Sequence, residues 1–240
     1  MTQEYPSTRH FDAFVTDRSV EEPWVISKVR PGERVLDVGS ATSRYLETIA
    51  ARSSVYAIDL RPTPPQPGVA AIRGDLVQAP FRPQSFDVIT CISTVEHAGC
   101  DVYGQGADQF GDEILMRHMR ALLHPDGRLL LTAPYGKRSV NAWFRVYDKP
   151  SFRRLIRGYE ALSIEYRRRD GDAYVACDAG ELADAGFDWV GVRSNGVVLA
   201  ELTPLDGPAF ALARLSLRLR RRWARFRHRR RMWQFWDDPW

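Results

Sequence analysis

Val35-Leu36-Asp37-Val38-Gly39-Ser40 is an apolar run that closes on an acid and a glycine, and Val55-Tyr56-Ala57-Ile58-Asp59 is a second run that also closes on an acid. A buried strand, a glycine turn, a helix and a second strand with an acid at its tip make a βα unit able to hold a nucleoside. Backbone N–H groups at such a turn face a polar or anionic group. The acid at the second tip accepts hydrogen bonds from ribose hydroxyls.

Working outward, Pro31-Gly32 is a turn that launches the first strand. After Gly39, Thr42 or Ser43 is placed to cap a helix whose apolar positions Tyr45, Leu46, Ile49 and Ala50 follow helical spacing. The proline-rich stretch from Arg61 to Gly68 reads as a loop, because proline removes backbone donors and clashes within a helix. Ala70 to Asp75 reads as a third strand ending in an acid, Phe86 to Ser93 as a fourth and Arg128 to Pro134 as a fifth. Ile114 to Leu123 has a helical apolar face that stops at His124-Pro125-Asp126-Gly127. Strands that are nearly all apolar and alternate with helices indicate a parallel sheet covered on both faces. Later in the chain, 148–159 reads as helical, 162–168 and 172–177 as extended, 179–186 as a short helix and 197–202 as a last strand. No internal repeat is visible.

Composition narrows the function classes. With 240 residues and 44% hydrophobic content, the chain can bury one full core. No stretch approaches the ~18 apolar residues of a membrane span. The polar start Met1-Thr2-Gln3-Glu4 lacks the apolar region of a secretory signal. Cys91, Cys100 and Cys177 fit neither a zinc ribbon nor a disulfide framework, so ordinary thiols in a cytoplasmic chain are expected.

The net charge of +4 conceals an asymmetry. Residues 209–240 hold ten arginines against Asp237 and Asp238, so 24 bases face 28 acids in residues 1–208. Three segments are expected: a helical arm over 1–30, a nucleotide-binding domain over 31–208 and an Arg/Trp-rich amphipathic tail over 209–240. In the tail, Leu212, Leu215, Leu219, Trp223 and Phe226 form an apolar stripe at helical spacing, with arginines around it and Trp233, Trp236 and Trp240 beyond. That pattern suits an anionic membrane surface. It also suits RNA, or packing on the body's own acidic surface.

The nature of the nucleotide is narrowed by what the turn lacks. A dinucleotide fingerprint anchored at Gly39 requires glycine at 41 and glycine or alanine at 44, where Ala41 and Arg44 stand. A phosphate-binding P-loop is excluded because Gly-Lys-Ser/Thr is absent from this turn. Taken in order, Val35-Leu36-Asp37-Val38-Gly39, Asp59, Gly74-Asp75-Leu76, Phe86-Asp87-Val88-Ile89 and His124-Pro125-Asp126-Gly127-Arg128-Leu129-Leu130-Leu131 resemble the class I S-adenosylmethionine-dependent methyltransferases over about residues 30–136. Ser93-Thr94-Val95-Glu96-His97-Ala98-Gly99, with Tyr103-Gly104 and Asp112, is similar to a bacterial subgroup associated with polysaccharide or glycolipid biosynthesis.

The resemblance implies an α/β, Rossmann-like, doubly wound and mostly parallel sheet of seven strands with helices on both faces. The basic C-terminal helix is an addition to it. The implied cofactor is S-adenosylmethionine, held by Asp37, Gly39, Ser40, Ala41, Asp59, Leu60, Asp75, Leu76 and Ser93. Asp37 is expected to orient turn amides or the methionine ammonium, or else to act as a structural cap. His97 is the expected base for a hydroxyl acceptor, since a pKa near ~6.5 suits proton abstraction around neutrality. Glu96 is expected to orient His97 or to lie on the surface. Tyr103, Asp112 and Tyr135 are candidates for contacts with the acceptor, and no metal is expected, the acids being dispersed. The family's Gly-x-Gly-x-Gly departs here to Gly39-Ser40-Ala41-Thr42-Ser43, which puts cofactor affinity in question because alanine at 41 cannot take a positive φ without strain.

The leading expectation is therefore methyl transfer to an oxygen of a sugar, a lipid-linked glycan or another small metabolite. A nucleic-acid methyltransferase comes second, and it lacks the Asn-Pro-Pro-Tyr type motif after the fourth strand, where Cys91-Ile92-Ser93-Thr94 stands. A non-catalytic protein on the same fold is third.

Overall fold

In the computed structural model, residues 16–101, 106–188 and 193–205 are described. Eight strands form one sheet: β1 (Arg34–Val38), β2 (Ser54–Asp59), β3 (Val69–Arg73), β4 (Phe86–Ile92), β5 (Leu123–Pro134), β6 (Tyr159–Asp170), β7 (Ala173–Cys177) and β8 (Gly196–Pro204). Their order is β3-β2-β1-β4-β5-β8-β6-β7. The first five are parallel, whereas β8 runs antiparallel to both β5 and β6.

The expected count of seven is corrected by the Gly171-Asp172 turn. Gly171 has φ +57, and the chain reverses there so that Ala173 pairs with Asp170. Only glycine adopts that conformation at little cost, and the reversal adds β7 as an extra edge strand. The segment expected as a last strand, 197–202, lies inside the sheet between β5 and β6.

Side-chain alternation along the strands feeds two cores. Leu36, Ile89, Leu129, Leu131, Val198 and Ala200 point to one face, where α3 (Gly111–Leu122) contributes Leu115, Met116 and Met119 and α4 (Lys149–Leu155) contributes Phe152 and Leu155. Val35, Val55, Val88, Leu130 and Leu199 point to the other, against Trp24 and Val25 of α1 (Arg18–Lys28) and Leu46 and Ile49 of α2 (Leu46–Ala50). The apolar residues of β1 and β4 are thus removed from water on one face or the other, which explains why these strands read as nearly continuous hydrophobic runs, whereas Ile72 of β3 and Leu162 and Ile164 of β6 stay exposed.

Two helix readings change. Thr42 and Ser43 do not cap α2: residues Ser40–Thr42 form a single 3₁₀ turn, and Tyr45 occupies the N-cap without a side-chain bond. Ser43 is drawn away because its hydroxyl donates to Asp37. The helix expected over 148–159 is shorter; Asp148 and Ser151 form a reciprocal capping box at its start, and Gly158 at φ +98 follows its end.

Arg128 ties these layers together. Its guanidinium donates to Glu201 Oε1 at 2.7 Å, to Glu33 Oε1 at 2.7 Å and to the carbonyl of Lys28 at 3.1 Å, all with 6% of the residue exposed. Lys28 also bonds Glu201 at 2.9 Å, and Trp24 Nε1 donates to Glu165 on β6 at 3.0 Å. The end of α1, the entry to β1, β5 and β8 therefore share one buried ionic hub. Arg128→Met leaves Glu201 and Glu33 without their main cation and is expected to lower unfolding stability by about 3 kcal/mol, as measured by urea denaturation.

Candidate functional site

The C-terminal ends of β1, β2, β3 and β4 open onto a cleft of about 290 Å³. Val38, Gly39, Asp59, Leu60, Asp75, Leu76, Thr94 and His97 line it, with Ile114 and Leu115 of α3 on the far wall. Acids at the tips of successive parallel strands come together because parallel strands in register end at the same level.

Gly39 is required twice over. Its φ of +87 is a left-handed conformation, and a Cβ there would overlap the side chain of Thr94. The rest of the turn needs no such freedom. Ala41 lies within the 3₁₀ turn Ser40–Thr42, and the described non-glycine residues with positive φ are Gln84 and Ser93. The strain expected at position 41 is therefore absent. Its amide instead donates to Asp59 Oδ2 at 2.9 Å, while the other oxygen of Asp59 accepts from the Arg61 amide at 2.7 Å. Asp59 thus holds the turn and still faces the cleft. Asp75, which also lines the cleft, accepts from the Val77 amide at 2.9 Å.

Of the two roles expected for Asp37, its bonds in the structure match the structural one. It is 1% exposed, and its oxygens accept from Tyr45 Oη at 2.5 Å, Thr90 Oγ1 at 2.5 Å and Ser43 Oγ at 2.7 Å. Burial raises its pKa, and these hydroxyl donors oppose the rise. Three hydroxyls therefore occupy this carboxylate; no turn amide does. Ser40 is fully buried, its hydroxyl 2.5 Å from Thr63 Oγ1.

His97 sits where β4 gives way to the turn Val95–His97. Its Nδ1 is 2.7 Å from the carbonyl of Trp143, so Nδ1 carries the proton and Nε2 is the basic nitrogen. Burial lowers its pKa from 6.5, which keeps the ring neutral near neutrality. Trp143, which the sequence reading did not single out, thus holds the ring at Nδ1; Glu96 lies on the other side, its Oε1 3.9 Å from Nε2. Glu96 is 2% exposed rather than on the surface, and burial pushes its carboxyl well above the usual range.

The acceptor-side candidates separate. Asp112 does not line the cleft. It accepts from Tyr147 Oη at 3.0 Å and lies 3.6 Å from Arg145, whose guanidinium donates to the carbonyls of Glu96 and Ala98. It therefore steadies the loop that carries His97. Tyr135 is buried against Tyr166 and Phe152, with ring centroids 4.9 and 6.0 Å away, and its hydroxyl is pushed up to about 12 by burial. Tyr103 lies outside the described residues. Ser93 adopts φ +42, donates its amide to Thr132 and its hydroxyl to Glu21, and stays behind the cleft wall.

Sequence reasoning missed the contribution of α1. Glu21 is fully buried and accepts from Ser93 and Thr132 at 2.6 Å each. Arg18 donates to Thr42 at 3.3 Å. The acid inside the otherwise amphipathic pattern of α1 was the available signal. Among the described residues, no three His, Cys, Asp or Glu side chains converge as a metal-binding group, and no helix is long and apolar enough to cross a membrane.

Comparison with known proteins places this architecture. A family model described as a Caenorhabditis protein of unknown function, DUF268, matches residues 78–176. No curated protein matches the chain. Among solved structures, the 1,6-didemethyltoxoflavin-N1-methyltransferase of Burkholderia thailandensis, solved with S-adenosylhomocysteine, is similar at 14% identity and TM-score 0.56, over 82% of each chain. The N-methyltransferase NodS of Bradyrhizobium japonicum, also with S-adenosylhomocysteine, is similar at 14% identity and TM-score 0.54, over 82% of this chain and 91% of that one. The YcgJ protein of Bacillus subtilis is similar at 15% identity and TM-score 0.53, over 79% of this chain and 100% of that one. The fold is the Rossmann-like methyltransferase fold.

Gly39→Ala is expected to destabilise the chain by about 1–3 kcal/mol through its positive φ and the overlap with Thr94. Thermal unfolding of the purified variant measures it.

Proposed function

We propose that this protein is an S-adenosylmethionine-dependent methyltransferase acting on an oxygen of a sugar, a lipid-linked glycan or another small metabolite. The observation that carries the reading is the pairing of Asp59 and Asp75 along one cleft that begins at the Gly39 turn. The residues present fit the cofactor. Asp59 has lone pairs left for ribose hydroxyls after its two amide bonds. Leu60, Leu76 and Ile114 offer apolar walls for an adenine, and Asp75 stands at its edge. The two named relatives solved with S-adenosylhomocysteine on this fold support the same choice.

When bound, the cofactor supplies an electrophilic methyl group on a sulfonium. The chain then has to position the acceptor in line and take up its proton. His97 is suited to the second task. Its Nδ1–H is held by Trp143, leaving the Nε2 lone pair for the acceptor's hydroxyl proton. The subgroup resemblance around Glu96-His97 is what favours a sugar-type acceptor over other small molecules.

The expected tail over 209–240 lies outside the described residues. Its arginine-flanked apolar stripe supports a further reading, in which the chain lies against an anionic membrane surface and meets a lipid-linked acceptor there. Cytoplasmic placement and the three-segment division belong to the same proposal.

Two measurements test the function. Calorimetric titration with S-adenosylhomocysteine should show binding, weakened roughly tenfold or more in Asp59→Ala through loss of charged hydrogen bonds; a folded protein that takes up none sinks the proposal. With an acceptor in hand, His97→Gln should lower kcat by about 10²–10⁴-fold. In the wild type, kcat/KM should be flat at neutral pH and fall only below the ordinary histidine value of 6.5. Burial lowers the pKa of His97, so it stays a free base further into acid.

A further inference from the structure

Behind the turn after β1 and the loop after β4, the first turn of α1 completes a buried cluster of polar side chains. Arg18 reaches it across the turn after β1, because its Nη2 rests on Thr42. Glu96 reaches it from the neighbour of His97, and Glu21 comes down from α1 onto the ends of β4 and β5 through Ser93 and Thr132. Three atoms here are buried without a hydrogen-bond partner: Arg18 Nη1, Glu21 Oε2 and Glu96 Oε2. Arg18 Nη1 and Glu21 Oε2 lie 3.9 Å apart, too far for a hydrogen bond between them. Glu21 and Glu96 are 0% and 2% exposed, whereas the Arg18 side chain retains 24% exposure.

Buried polar atoms without partners cost free energy, and the few that natural proteins keep call for an explanation. These three are one cationic donor beside two carboxyl oxygens. The complement is a group that carries an anionic acceptor and an ammonium donor on adjacent atoms, as an α-amino acid does. Glu21, Asp17 and Glu96 all lie close enough to Arg18 to act on its charge, and burial with the Glu21 charge raises Asp17 to about 7.

The cluster adjoins the cleft through chain neighbours of its lining: Glu96 precedes His97, and Ser93, which bonds Glu21, precedes Thr94. Asp37, whose three hydroxyl donors already occupy it, is not the partner of the ammonium.

We infer that Arg18, Glu21 and Glu96 form the site for the amino-acid end of the cofactor, with Arg18 on its carboxylate and the two glutamates on its ammonium. The inference rests on the proposed cofactor. It assigns to a helix outside the nucleotide-binding unit the grip that a glycine-poor turn supplies only in part.

The test compares two nucleosides on the full-length protein by calorimetry. S-adenosylhomocysteine carries the amino-acid end and methylthioadenosine lacks it. The wild type should bind S-adenosylhomocysteine at least roughly tenfold more tightly, the worth of one charged hydrogen bond. Arg18→Met and Glu21→Gln should each shrink that ratio by roughly tenfold while leaving methylthioadenosine affinity unchanged, which also reports that the variants are folded. Arg18→Lys should restore part of it. Equal affinity for the two nucleosides, or an unaltered ratio in Arg18→Met, overturns the inference and leaves the nucleoside cleft standing. Failure of the folded wild type to bind either nucleoside overturns both.

Discussion

A carboxylate buried between strand and helix must be fully bonded or it unfolds its surroundings, and Asp37 satisfies that constraint with three hydroxyls from three directions. Thr90 comes from β4, Ser43 from the turn and Tyr45 from the start of α2. The bonds weld β1, β4 and the first turn into one piece. Asp59 then ties Ala41 to the tip of β2. With the turn held by side chains at both ends, it needs left-handed backbone at Gly39 alone. This is the physical answer to the depleted glycine motif: the loop is shaped by the carboxylates of Asp37 and Asp59.

The same economy of structure governs the acceptor side. The loop after β4 carries Thr94, Glu96 and His97 on a 3₁₀ turn closed by backbone bonds from His97 to Thr94 and from Ala98 to Val95, and neighbours brace it from outside. Arg145 clamps its carbonyls, Asp112 holds Arg145 and is itself held by Tyr147, and Trp143 holds the ring of His97. Gly99 and Gly111 touch backbone to backbone, so neither position has room for a Cβ. The cleft is therefore framed by a rigid turn on one side and by a braced loop on the other. Helix α1 lies across the junction, anchored at its far end by Arg128 and Lys28.

Much of this was legible in the chain. The five parallel strands, the acids at 59 and 75, and the place of His97 after β4 all follow from local runs and the residues that end them. Other features were not. Asp112 and Tyr135 look like acceptor contacts by position, yet each is spoken for by a distant partner, Arg145 or Tyr166. The capping hydroxyl of Ser43 is lost to a carboxylate six residues earlier on another element. The segment 172–177 was read as extended, but its place as the edge strand beside β6 depended on long-range sheet order that no local run encodes.

By itself, the sequence determined the βα unit, because a strand's burial and the identity of its tip residue are local properties of a short run. The tertiary structure decided what each polar side chain does. Arg128 becomes a hub, Asp37 a weld and Glu21 a buried acceptor through partners 53 to 111 positions away. Hydrogen bonds across such separations leave no periodicity in the chain. They exist only once the sheet has brought the strand ends to one level and laid α1 across them.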